Sequence, residues 1–144
     1  MWIWNGMPAK GRDTAGWMLS RGRDHSPGTD GDHLGLGGTA TEPGKLVFVH
    51  GEGKPIVGRT LVERWTWAHV LFVRDGDRVR VYLNGEAKPE IDIKSPARFP
   101  PAFDQFFFGG RCDNSCNWEG RLDEIRTALR ELGVDETLRL NQKP

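Results

Sequence analysis

Long apolar runs are missing from this 144-residue chain, and none approaches the roughly 20 residues that a membrane-spanning helix requires. Membrane insertion is therefore not expected. Net charge is missing too: 20 Lys and Arg offset 20 Asp and Glu, for a formal charge of +0. Such a chain has no global field to concentrate nucleic acid or an anionic bilayer, so neither is expected as a partner. The start, Met1-Trp2-Ile3-Trp4, lacks the basic residues and apolar segment of a secretory leader. Cysteine is scarce. Cys112 and Cys116 flank Asp113-Asn114-Ser115, and three readings stay open. They are two free thiols, a local disulfide pointing to an oxidising compartment, or a zinc site needing two further ligands from histidines remote in sequence. Apolar residues make up only 37%, but six Trp and seven Phe are among them, and a few large rings can fill a core that many small residues would otherwise fill.

What the chain has in abundance is turn punctuation. Nineteen Gly and nine Pro are scattered between short apolar runs, the pattern of an all-β chain. Val70, Phe72 and Arg74 alternate with His69, Leu71 and Val73, which predicts a buried strand. Asp75-Gly76-Asp77 is a turn. Val79, Val81 and Leu83 then share one face, with Arg78, Arg80 and Tyr82 on the other. Asn84-Gly85 follows, a pair that tolerates positive φ. Shorter strands are predicted at 16–20, 33–37, 45–49, 106–109 and 118–126, with long turn-rich segments at 21–32 and 93–103. Residues 135–140 have helical spacing. The length suits one domain, residues 1–144. The expected architecture is an antiparallel β-sandwich with a short C-terminal helix, and with Val70, Phe72, Val79, Val81 and Leu83 buried.

Three segments together resemble the laminin-G-like branch of the concanavalin A-like lectin and glucanase superfamily. They are Trp67-Ala68-His69-Val70 leading to Tyr82-Leu83-Asn84-Gly85, Gly120-Arg121-Leu122-Asp123-Glu124-Ile125, and Asp32-His33-Leu34-Gly35-Leu36-Gly37-Gly38 with Lys45-Leu46-Val47-Phe48. The third is similar to a subgroup common in large planctomycete-type bacterial proteins. The resemblance implies a jelly roll, and a non-catalytic binding module for carbohydrate or protein within an exported multidomain protein, extracellular or periplasmic. A structural or assembly domain is the alternative. Measured against the family pattern, the chain is expected to start inside an early strand, with N-terminal strands lacking, and to have a shortened tail after Ile125.

The superfamily's glucanases carry three carboxylates at period two on one strand, one serving as nucleophile and one as acid/base. Here Glu90-Ile91-Asp92-Ile93-Lys94 supplies two and then a lysine, which leaves a glycan-active enzyme using Glu90 and Asp92 as the minor reading. Gly35-Leu36-Gly37-Gly38 lacks the Lys-Ser/Thr of a phosphate cradle. His69 reads as a packed core histidine, and His33 as a brace for the loop before it. Structural calcium is the candidate cofactor, because hard oxygen ligands crowd two loops. Asp24, Asp30 and Asp32 stand in one, and Asp113, Asn114 and Asn117 in the other. The resemblance adds Asp123, whose counterpart in related jelly rolls holds calcium. Trp67 and Trp118 read as core. Trp2 and Trp4 share one strand face. An uncovered edge there predicts a two-fold dimer through residues 1–4, unless 135–140 covers the gap.

Overall fold

The computed structural model describes residues 1–26, 30–96 and 105–130, together with 132, 135, 136 and 139. Ten strands run in chain order: β1 (Trp2–Asn5), β2 (Thr14–Gly22), β3 (Asp32–Gly37), β4 (Lys45–His50), β5 (Ile56–Leu61), β6 (Trp67–Asp75), β7 (Arg78–Leu83), β8 (Ile91–Lys94), β9 (Gln105–Phe108) and β10 (Gly120–Asp123). They form two five-stranded sheets. The first has the order β10-β1-β6-β7-β8 and the second β5-β4-β3-β2-β9. Every strand pair is antiparallel. The protein is the all-β sandwich expected.

Alternation places the core between the sheets. Ile3, Met18, Leu34, Leu36, Leu46, Phe48, Val70, Val79 and Val81 are each within 1% of complete burial. Phe72 packs on the same cluster against Phe48, ring centroids 5.9 Å apart. The β6–β7 hairpin turns at Gly76, whose φ of 53° suits a residue without Cβ, and pairs Asp75 with Arg78. Asn84 and Gly85 both have positive φ, as their sequence suggested.

Several expectations are corrected. Trp67 is not in the core. Ala68, Val70 and Phe72 point inward on β6, so period two turns Trp67 outward opposite Trp4. β1 has no free edge, because it pairs with β10 on one side and β6 on the other. Its backbone groups are already spent, which removes the edge on which the predicted dimer relied. β5 went unread in the sequence, and the strand predicted at 118–126 shrinks to Gly120–Asp123. Asp135, Glu136 and Arg139 are helical; the remainder of 135–140, and most of 93–103, lie outside the described residues. Among the described residues no helix is long and apolar enough to cross a membrane.

Candidate functional site

The outer face of the second sheet carries a trough. On β4, Leu46 and Phe48 enter the core, so Val47 and Val49 face the other way. On β2, Thr14 and Trp17 join them. Two adjoining hollows of about 390 Å³ each meet at Arg111. The first is lined by Trp17, Thr41, Val47, Val49 and the turn at 51–55. The second is lined by 106–110, Asn114 and Asn117.

The loop after β9 is held hard. Trp118 N–H donates to Gly109 O, Trp17 N–H to Cys116 O and His25 N–H to Cys112 O, each at 2.9 Å. Arg12 donates from Nε to Ala15 O at 3.0 Å and reaches Asn117 O from Nη2. Asn114 and Cys116 sit in the left-handed region, with φ of 61° and 46°. Two such residues in one short loop mark backbone strain that the surrounding bonds overcome. Arg111 lies over the Trp17 ring at 5.6 Å and is clamped by Asp113 through paired bonds of 2.7 and 2.5 Å. Each partner shifts the other: Arg111 holds the Asp113 carboxyl below the usual carboxylate range, and Asp113 raises the Arg111 guanidinium.

Beneath the trough, Ser20 Oγ stands 2.8 Å from His33 Nδ1 and accepts from Cys112 N–H at 3.2 Å. Burial, helped by the charge on Arg111, pushes His33 down to about 4. Cys112 and Cys116 are free thiols, the first buried with Sγ directed at Ser26 O. The disulfide and zinc readings therefore give way to two free thiols.

The remaining sequence-predicted site residues do not converge. Asp32 turns inward, where His50 Nδ1 stands 2.8 Å from Oδ1 and Arg74 donates to both carboxylate oxygens at 2.5 Å. Burial raises the Asp32 carboxyl, but those bonds and charges outweigh it and hold it below its ordinary value. Asp113 sits on the opposite face of the same sheet with Arg111. Each carboxylate is already paired with a guanidinium, which answers the negative charge calcium would need. Asp30 is half-buried, Asn114 is exposed, and exposed Asp123 accepts the Glu124 N–H at 2.8 Å. Among the described residues no three His, Cys, Asp or Glu side chains gather where a metal ion would be held. This arrangement does not fit calcium at Asp32 or Asp113.

Glu90 accepts from Arg59 N–H, Thr60 N–H and Thr60 Oγ at 2.6, 2.9 and 2.8 Å, pinning β5. Asp92 makes two 2.8 Å bonds with Arg78. The two carboxylates thus serve different partners. His69 is 3% exposed, but under Trp2 on the outer face of the first sheet, ring centroids 5.2 Å apart. Burial and the nearby N-terminal ammonium push it down to about 4.

A laminin-G family model of the concanavalin A-like lectin/glucanases superfamily matches residues 8–136. The chain belongs to this superfamily. At that level it is a binding or structural module. No curated protein matches the chain. Among solved structures it is similar to residues 221–444 of an S-layer domain-containing protein from Clostridium thermocellum, at 21% identity and a TM-score of 0.47. That alignment covers 91% of this chain and 65% of the other. Sequence reasoning missed Arg111 as the hinge of the trough. Its clamp, Asp113, is only two residues on, but the Trp17 ring it lies over comes from β2, nearly a hundred residues earlier, so local spacing does not reveal that it joins the two hollows.

Proposed function

We propose that this superfamily member is a non-catalytic binding module that takes a saccharide chain in the trough across its second sheet. One observation carries the reading: the trough is rimmed by exposed carboxamides that no protein group among the described residues engages. The Asn114 and Asn117 carboxamides have no hydrogen bond among the described residues, and the Thr41 hydroxyl is buried without a partner. Phe106, Phe107 and Phe108 line the same hollow as the carboxamides, and Val47, Val49 and Trp17 the adjoining one. Apolar walls with a few exposed carboxamides suit a hydroxyl-rich ligand, whose hydroxyls would take the place of water on Asn114 and Asn117. The Arg111–Asp113 pair cancels its own charge, which favours a neutral chain. The non-catalytic part rests on Glu90 and Asp92, each committed to a structural partner.

Affinity electrophoresis against neutral polysaccharides tests this. Retardation by one of them, weakened roughly tenfold in Asn114→Gly with Asn117→Ala, is the expected result. No retardation by any neutral polysaccharide, or retardation untouched by both changes, would overturn it. The structural or assembly reading draws on an apolar fringe beside β9 and β10, where Phe106 and Ile125 are 53% and 40% exposed. Concentration-dependent mass in light scattering, lost on Phe106→Ser, would favour that reading. The setting proposed is an exported multidomain protein, extracellular or periplasmic, as the motif resemblance implies; fractionation of the native host protein tests it.

A further inference from the structure

The outer face of the first sheet, on the far side of the molecule from the trough, carries a four-member stack. Arg121 lies over the Trp4 ring at 5.4 Å, Trp4 meets Trp65 with centroids 5.1 Å apart, and Arg64 lies over Trp65 at 3.9 Å. Two indoles are thus capped by a guanidinium at each end. Trp4 is placed by β1, whose Ile3 is buried in the core, so that Trp4 must face out. Trp65 is 56% exposed and has φ of 68°, a conformation a bulky residue adopts only when its surroundings enforce it. Those surroundings are buried Asn5, which accepts Trp65 N–H at 2.8 Å and donates from Nδ2 to Val62 O at 3.3 Å, and Thr66, whose hydroxyl bonds Glu63 O at 2.7 Å. The loop holds the stack ready-formed.

The two cations have no acid to answer them. Arg64 uses Nε on Gly6 O at 2.9 Å, and neither Arg64 nor Arg121 has a carboxylate partner among the described residues. Other arginines of the protein do: Arg12, Arg74, Arg78 and Arg111 are each paired with a carboxylate. The indole faces beneath Arg64 and Arg121 are already taken by those groups, so the stack offers charge before it offers an apolar platform. A planar guanidinium held on a ring keeps its edge N–H groups free and oriented, the geometry that matches a carboxylate.

We infer that this stack is a second binding site, for a carboxylate-bearing polysaccharide such as a uronate polymer, independent of the trough on the opposite sheet. Carboxylates spaced along one chain would meet Arg121 and Arg64 at the two ends of the stack, with the exposed Trp65 edge against the sugar between them. A single-stranded nucleic acid fits less well. Its bases require open ring faces, and its backbone requires a longer basic track than a net-neutral chain supplies. With two faces of different chemistry, the domain would bridge a neutral chain on one side and an acidic one on the other.

Affinity gels containing polygalacturonate, fully methyl-esterified polygalacturonate, or a single-stranded oligonucleotide test this. The expected result is retardation by the free acid, little by the ester, and loss as salt rises. Arg64→Gln with Arg121→Gln should weaken retardation roughly tenfold or more at unchanged melting temperature, since both side chains are exposed. Trp65→Ser, a separate variant, should weaken it too. The trough variant Asn114→Gly with Asn117→Ala should leave it intact, so a failed trough reading and a failed stack reading remain distinguishable. Equal retardation by acid and ester, no change in the double glutamine variant, or stronger retardation by the oligonucleotide through the same residues would each overturn the assignment.

Discussion

Arg74 reaches from β6 across the sandwich to Asp32 on β3, where His50 completes the cluster. The Arg74 and Asp32 side chains are 10% and 4% exposed. Removing one member of a buried charge pair strands the other, so Asp32→Ala should cost about 3–5 kcal/mol in urea denaturation. Asp32→Leu with Arg74→Met should recover much of that, because no charge is left unanswered; a double variant as unstable as the single one would refute this account. The two buried histidines give a pH dependence of definite sign. His33 and His69 fall from 6.5 to about 4 in the folded state, chiefly by burial. The unfolded chain therefore binds more protons than the folded one between those values. Their contribution is whole above pH 6.5 and drains away as pH falls toward 4, up to about 3 kcal/mol for each. Melting temperatures should drop across pH 6.5 to 4, and His69→Phe should flatten part of the drop. A profile flat down to pH 4 would contradict it. Sequence spacing marks His69 as a packed histidine and His33 only as a brace for its loop; His33 is in fact 1% exposed. Spacing could not show that His69 lies outside the core, since that depends on Trp2 folding over it from β1.

β6 and β7 were legible because each alternates cleanly and a two-residue turn joins them, so pattern and pairing are both local. β5 was not. Gly58 interrupts it, half of it is exposed, and much of its anchoring comes from Glu90, some 30 residues on. β1 was read as an edge because its neighbour β10 lies about 120 residues away in sequence. Long-range closure of that kind leaves no local trace. Its interior position predicts that the amides of Ile3 and Trp4 exchange slowly, near the global unfolding rate. Ile3→Ala, at a fully buried site, should cost about 2–5 kcal/mol. Fast exchange at those amides would return β1 to the edge. Gly31 shows the same dependence on distant partners. Its φ is 122° and an added Cβ would stand 2.0 Å from Arg21 O, so no rearrangement of a flexible side chain would relieve Gly31→Ala.

At the scale of the whole molecule, the fold class was readable from strand patterning and from motif order. The binding surfaces were not, because each gathers residues from segments far apart: Trp17, Val49 and Arg111 on one face, Trp4, Trp65 and Arg121 on the other. The acidic loops invited calcium on composition alone, and folding redistributes them. Asp32 is drawn inside to Arg74, while Asp113 is turned outside to Arg111. Asp123 remains exposed on β10 with one oxygen used by Glu124 N–H. A cation binding only the folded state adds RT ln(1 + [L]/Kd), about 2.7 kcal/mol at a hundredfold excess over Kd. At roughly 2–4 °C per kcal/mol for a domain near this size, that is a shift of roughly 5–10 °C. With Asp32 and Asp113 already neutralised by guanidinium groups, the melting temperature should differ by less than about 1 °C between excess chelator and millimolar calcium. A rise of several degrees, abolished by Asp123→Asn, would show instead that the β10 carboxylate recruits backbone oxygens around a structural ion, as its position in the family motif implies.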